Sequence, residues 1–522
     1  MNSLRIASLL LLLGSSAALA QSASNAGDAP PPGTHQDAAN KEKGRGEGDS
    51  DENAKASAVE TEQPVKRSIT LRGGRLAYTV TTGTLTIRND DGEATASMFY
   101  TAYTMPSRDG RPRPVTFLFN GGPGSSTMWL HMGSVGPMKV DASIPETIAG
   151  PPFRVSPNPD TLLDRSDLVF LDAVTTGLSR PVGKAKPEDF FGVDKDLDAF
   201  SRGIQRYLTK YGRWNSPKFI IGESYGTLRA AGLSSRLADK GVQLNGIVLV
   251  STVLNFADFA GDQQYINFMP TYAADAWYHG KVAHEGDLDG FAARARAFAM
   301  GPYAAALQKG GAISDAEKQS VAQQMAALTG LSADYVLRTN LRVDPERFRR
   351  ELLRDRRQII GRIDSRYLGT EAEQVGSDPT YDPQSSAITG GFSGAINDYL
   401  FRDLGFKTPL SYRINNYAGI GGKWEFTHRS SQGEQSVADT SVDLADTMRQ
   451  NPRMKLLSVN GYYDLATPFY GADYEIGHMA LEPRIAANVR YVYYPSGHMV
   501  YIDPVSARRL KADLASFYDS AM

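Results

Sequence analysis

The sequence predicts an α/β fold: a mixed, mostly parallel sheet flanked by helices, with a mainly helical cap inserted before the last two strands. Three observations carry this. Short apolar runs at 114–119, 166–171, 219–221 and 246–250 alternate with helical periodicity, the pattern of strands joined by crossovers. From about Asn255 to Pro452 the apolar spacing turns helical. Strand patterns then resume at 454–460 and 489–494, so the helical stretch reads as an insertion into one sheet.

Size and charge narrow the class. A chain of 522 residues suits two to four domains, or one larger unit carrying an inserted cap. Its 56 basic and 58 acidic residues leave a net charge of -2, which favours neither nucleic acid nor an anionic membrane. The absence of cysteine excludes disulfides, thiolate metal sites and a thiol nucleophile. Export without disulfides points to a bacterial periplasm or the medium.

In order along the chain, residues 1–20 carry Arg5, an apolar run over 6–13, and Ala18-Leu19-Ala20 before Gln21, the makings of a secretory signal. That run is shorter than the roughly 20 residues a membrane span needs, and no later run approaches it, so no membrane segment is expected in the mature chain. Residues 21–67 are rich in Ala, Gly, Pro, Ser and charged groups and read as a disordered linker. Residues 68–254 make the first part of the core. They begin with period-two strands near 76–87 and 94–103, expected to pair antiparallel at the sheet edge. A helix over 193–211 follows, with Asp194 as a candidate cap. Residues 255–452 form the cap, with helices near 287–307, 314–328 and 345–357 and breaks at Asp378-Pro379 and Gly390-Gly391. Residues 453–522 complete the core and end in a helix opened by Asp503-Pro504.

The chemistry gathers where strands end. Gly222-Glu223-Ser224-Tyr225-Gly226 is a G-x-S-x-G turn between an apolar strand and a helix, the nucleophile elbow of an α/β-hydrolase. A serine nucleophile needs a base and a carboxylate to orient it, and in that fold they follow in the order Ser, Asp/Glu, His. Asp464 lies just past one late strand, in competition with Asp473 and Asp503. Of seven histidines, His498 sits just past the next strand in a glycine-containing turn. The oxyanion of the tetrahedral intermediate needs backbone donors, assigned to Tyr225, after the nucleophile, and to Gly122 in the Gly/Pro-rich loop after 114–119.

Three blocks together are specific. Asn120-Gly121-Gly122-Pro123-Gly124-Ser125-Ser126, the elbow, and Gly497-His498-Met499-Val500 resemble the signature blocks of the serine carboxypeptidase family. The resemblance runs from about Thr70 to the C-terminus and is least in the cap. It implies that Asn120 and Glu223 bind the C-terminal carboxylate of a peptide. It implies no metal and no organic cofactor. A carboxyl that binds a carboxylate must be protonated, so cleavage is expected to be favoured at acidic pH. Ser125, Gly226 and Tyr501 stand where the family usually has Cys, Ala and Pro, which suggests a distant bacterial branch. The expected partners are peptides with a free C-terminus. An esterase or acyltransferase using the same triad, and a non-catalytic binding or protective protein on this scaffold, stay open, as does the oligomeric state.

Overall fold

Alternation of side chains decides how the sheet is covered. In the computed structural model, which describes residues 55–522 apart from 72, 108, 109 and 285, strands β1 (Glu62–Leu71), β2 (Gly74–Arg88) and β3 (Ala94–Thr104) form an antiparallel ribbon. Strands β4 (Val115–Phe119), β5 (Asp167–Leu171), β6 (Lys218–Glu223), β7 (Gly246–Val250), β8 (Lys455–Gly461) and β9 (Val489–Tyr494) form the parallel part. β3 joins the two by pairing antiparallel with β5, and the strand order is β1-β2-β3-β5-β4-β6-β7-β8-β9. A two-residue strand, Arg180–Pro181, adds to β3.

Every residue of β4, β5 and β7 is buried, as expected of parallel strands covered on both faces. Phe117, Val169, Ile220 and Leu249 point into one apolar cluster. Leu118, Phe170, Ile221 and Val248, one position along, point into the other. At about 1.5–3 kcal/mol for each large apolar side chain, these two layers dominate the stability. Helices α2 (Val193–Lys210) and α3 (Tyr225–Asp239) cover the first face. The short helix α1 (Met128–Gly133), helix α5 (Pro383–Asn397) and the terminal helix α6 (Pro504–Ala521) cover the second. Between β7 and β8 the chain makes the helical insertion, which opens with α4 (Gly261–Tyr278) and has its own apolar cluster around Phe268, Tyr272 and Phe348. This is the α/β-hydrolase fold.

Three expectations need correction. The linker does not run to 67: β1 begins at Glu62, because this polar segment pairs along its whole length with β2 and buries Ile69. Residues 1–20, read as the export signal, and 21–54 lie outside the described residues. Asp194 does not cap α2; Gly192 stands at the cap, and Asp194 binds His428 at 2.8 Å and Arg236 at 2.8 Å. Gly390-Gly391 does not break the insertion, because α5 runs straight through it. Phe153 lies across this helix, and a Cβ at Gly391 would stand 3.3 Å from its ring, so the glycines admit an aromatic side chain.

Candidate active site

The turn between β6 and α3 holds Ser224 at φ 59° and ψ -131°, a conformation costing a non-glycine residue about 1–3 kcal/mol. Neighbouring backbone holds it there: Ser224 N–H donates to the Val250 carbonyl at 2.9 Å, and Thr227 N–H to the Ser224 carbonyl at 2.7 Å. The tightness of the turn excludes side chains nearby. A Cβ on Gly222 would stand 2.0 Å from the Gly226 carbonyl oxygen, and one on Gly121 would stand 2.5 Å from the Tyr225 amide nitrogen. The Gly121–Gly122 loop therefore lies directly against the start of α3, where first-turn amides have no partner within their own helix. Gly122 and Tyr225, the two expected oxyanion donors, belong to these abutting segments.

Asp464 follows β8 and is fully buried. One of its oxygens accepts from the amides of Ala466 at 2.8 Å and Thr467 at 3.0 Å. The other accepts from the Thr467 hydroxyl at 2.7 Å and from His498 Nδ1 at 2.7 Å. A carboxylate so placed fixes the proton on Nδ1 and leaves Nε2 as the basic nitrogen. Burial lowers the basicity of His498, but the charges of Asp464 and Glu223 more than offset this, and its pKa stands above the ordinary histidine value. The rivals for the carboxylate role are engaged elsewhere. Asp473 pairs with Arg296 at 2.9 Å, and Asp503 caps α6 through the Ser506 amide at 2.7 Å.

The end of β7 joins the elbow serine to the histidine loop. Val250 holds the Ser224 amide, and the hydroxyl of the next residue, Ser251, donates to the His498 carbonyl at 2.5 Å. Among the described residues, neither Ser224 Oγ nor His498 Nε2 makes a hydrogen bond, so both are open to a substrate. Such contacts commonly tighten only when substrate binds.

Beside the elbow lies a second polar group. Asn120 Nδ2 donates to Glu223 Oε1 at 2.8 Å, while its Oδ1 accepts from the Leu130 amide at 3.0 Å. Burial, with the nearby Asp464 charge, pushes the Glu223 carboxyl up to about 7, against the opposing effects of His498, Tyr501 and Asn120. Glu223 Oε2 has no partner in hydrogen-bond geometry, and neither has the buried Tyr501 hydroxyl, although Glu223 and Asn120 lie close enough to act on it.

Several supporting residues were not singled out from the sequence. Arg229 on α3 is wholly buried, donates to the Asn120 carbonyl at 2.6 Å, and pairs with Asp196 of α2 at 2.6 Å. The insertion also reaches the Gly121–Gly124 loop: Asn416 N–H donates to the Gly124 carbonyl at 2.8 Å, Ser126 N–H donates to the Ile414 carbonyl at 3.0 Å, and Tyr417 lies beside Gly122. At the other side, His498 N–H donates to the Ile363 carbonyl at 2.7 Å, and Leu465 N–H to the Arg362 carbonyl at 3.0 Å. In each case the partners lie far apart in the chain, so no local pattern announced them.

Sheet order, elbow and the Asp464–His498 pair define a serine hydrolase of the α/β-hydrolase fold. Residues 75–296, which carry the Asn120 loop and the elbow, match the family model described as serine carboxypeptidase. No curated protein matches the sequence. Similar solved structures include a proline iminopeptidase of Mycobacterium smegmatis (13% identity, TM-score 0.35, covering 84% of this chain and 98% of that one). A thermostable carboxyl esterase of Bacillus coagulans matches at 12% identity and TM-score 0.35, covering 84% of this chain and 98% of that one. An acetylester hydrolase of Corynebacterium glutamicum matches at 12% identity and TM-score 0.34, covering 88% of this chain and 96% of that one. Among the described residues no helix is long and apolar enough to cross a membrane.

Proposed function

We propose that this protein is a serine carboxypeptidase, exported by a bacterium, that removes the C-terminal amino acid from peptides. One observation carries the specificity. Asn120 occupies Glu223 Oε1, so the proton of a neutral Glu223 belongs on Oε2, the buried oxygen with no partner, next to the nucleophile. A protonated carboxyl there donates a hydrogen bond to a substrate carboxylate, where an ionised one would repel it.

The reaction follows from this placement. Ser224 Oγ attacks the last peptide carbonyl as His498 Nε2 takes its proton, and the amides of Gly122 and Tyr225 receive the oxyanion. The imidazolium, stabilised by Asp464, gives that proton to the leaving nitrogen, and the C–N bond breaks to release the amino acid. Water then attacks the acyl-enzyme and gives its proton to His498, which returns one to Ser224 Oγ as the ester bond breaks.

The two titrations have opposite effects. His498 must be neutral, so activity is lost as falling pH protonates it. Glu223 must be protonated, so cleavage of free-acid substrates is favoured on the acid side of its titration at about 7 and falls as pH rises through that value. Glu223→Gln keeps a donor at every pH, so it abolishes the alkaline fall. On the acid side Glu223 is already neutral in the wild type, so the acid limb, set by His498, stays in place in the variant. Profiles of kcat/KM for a blocked dipeptide, wild type against this variant, check that only the alkaline limb moves. The function itself is tested with a blocked dipeptide and its C-terminal amide at pH 6. Preference for the free acid by tenfold or more is expected; equal rates, or cleavage of esters alone, would favour an esterase.

A further inference from the structure

The segment of the insertion that touches both the carboxylate and the histidine loop begins at Arg362. Its own carbonyl accepts from Leu465, the residue after Asp464, and the next carbonyl accepts from His498. Its side chain is mostly buried, with 11% of its surface exposed. Among the described residues the guanidinium makes no hydrogen bond, and its nearest carboxylate oxygen, Glu346 Oε1, is 3.8 Å away.

Glu346 forms only a loose ion pair with it, and the neighbouring carboxylates are held more closely by other groups. The second oxygen of Glu346 takes a short hydrogen bond from Arg349. Asp382 Oδ2 accepts from the backbone amides of Arg362 and Ile363, the latter at 3.3 Å, and stands 3.6 Å from Arg349 Nη2. A guanidinium carries five donors in a planar fork suited to a carboxylate, and among the described residues none of these donors makes a hydrogen bond. Its positive charge also lies near enough to act on His498 and on Tyr417, the residue beside Gly122.

We propose that Arg362 is the anion-binding group of a side-chain subsite, and that the best substrates carry an acidic residue on one side of the scissile bond. This deepens the carboxypeptidase reading and rests on it for the word peptide. The pairing needs a carboxylate, not a particular backbone, so an acyl group ending in a carboxylate fills the same place in an ester. The remaining carboxylate of a peptide, its C-terminus, is already assigned to Glu223 and Asn120.

The test is a ratio, so that a general loss of activity cancels. Values of kcat/KM are measured for blocked dipeptides with Glu, Leu or Lys in turn on each side of the bond, and for p-nitrophenyl glutarate against p-nitrophenyl valerate. Wild type, Arg362→Gln and Arg362→Lys are compared. At one position the wild-type Glu:Leu ratio is expected to exceed one by about tenfold or more, the value of a charge-assisted hydrogen bond, with Lys slowest. Arg362→Gln brings the ratio to about one or below, and Arg362→Lys keeps part of it. A wild-type ratio near one in both series, or one unchanged in Arg362→Gln, overturns the proposal. So does an equal rise in KM for all free-acid dipeptides with no change in the ester ratio, which would make Arg362 a C-terminal carboxylate ligand. If no dipeptide is cleaved but the ester ratio is high and depends on Arg362, the subsite stands and the carboxypeptidase reading fails.

Discussion

Replacing Ser224 by alanine is expected to lower kcat by about 10⁶, and replacing Asp464 by asparagine by about 10⁴. The first change removes the atom that becomes the acyl ester. The second is subtler, because the asparagine side chain would retain the space and much of the bonding to Ala466 and Thr467. An amide, however, can present its NH₂ to Nδ1, which moves the ring proton to Nε2 and leaves no base facing the serine. The double variant is expected to be no slower than Ser224→Ala alone, because the residues act as one unit. Steady-state kinetics on one ester substrate, with circular dichroism to verify folding, checks all three. A double variant slower by a further factor of about 10⁴ would mean that Asp464 works independently of the serine.

The largest effect on stability is expected at Arg229. Its guanidinium is fully buried against Phe119, Phe200 and Tyr225, and it neutralises Asp196, which is 5% exposed. Arg229→Met leaves that carboxylate buried without its partner and strips the Asn120 carbonyl of a donor, a loss of roughly 3–5 kcal/mol. Adding Asp196→Asn should restore part of it, since the pair's desolvation cost disappears along with its attraction. Urea denaturation of the two single variants and the double provides the comparison, and strictly additive losses would contradict the pairing. The single variant should also be a poorer enzyme than its residual folding accounts for, because Asn120 opens the oxyanion loop.

What the sequence made legible was local. The parallel strands of the sheet are short apolar runs, and the elbow, the Asn120 loop and the His498 turn each lie within a few residues of a strand end. Fold class and the expected triad could therefore be read from spacing and order. The rest depends on contacts between distant segments. Arg229 looks like any helical arginine until Asp196 of α2 and the Asn120 carbonyl are placed around it. Arg362 and Tyr417 belong to an insertion without a matching motif, and their importance comes from landing on the Asp464 and Gly122 loops. The polar strand β1 was hidden for the opposite reason: its stability comes from pairing with β2 and from few buried side chains, so composition made it look disordered. Tyr501 was visible as a departure from the family pattern, but its position beside Glu223 required the fold.

The central claim is that Ser224, His498 and Asp464 make one nucleophilic centre, and covalent capture tests it most directly. The full-length protein is treated with a serine-directed phosphonate, digested, and the adduct located by mass spectrometry, alongside His498→Ala. A single adduct on Ser224, formed at least a thousandfold more slowly in His498→Ala, is the predicted result. An adduct elsewhere, or one on Ser224 forming at the same rate without the histidine, would contradict the account.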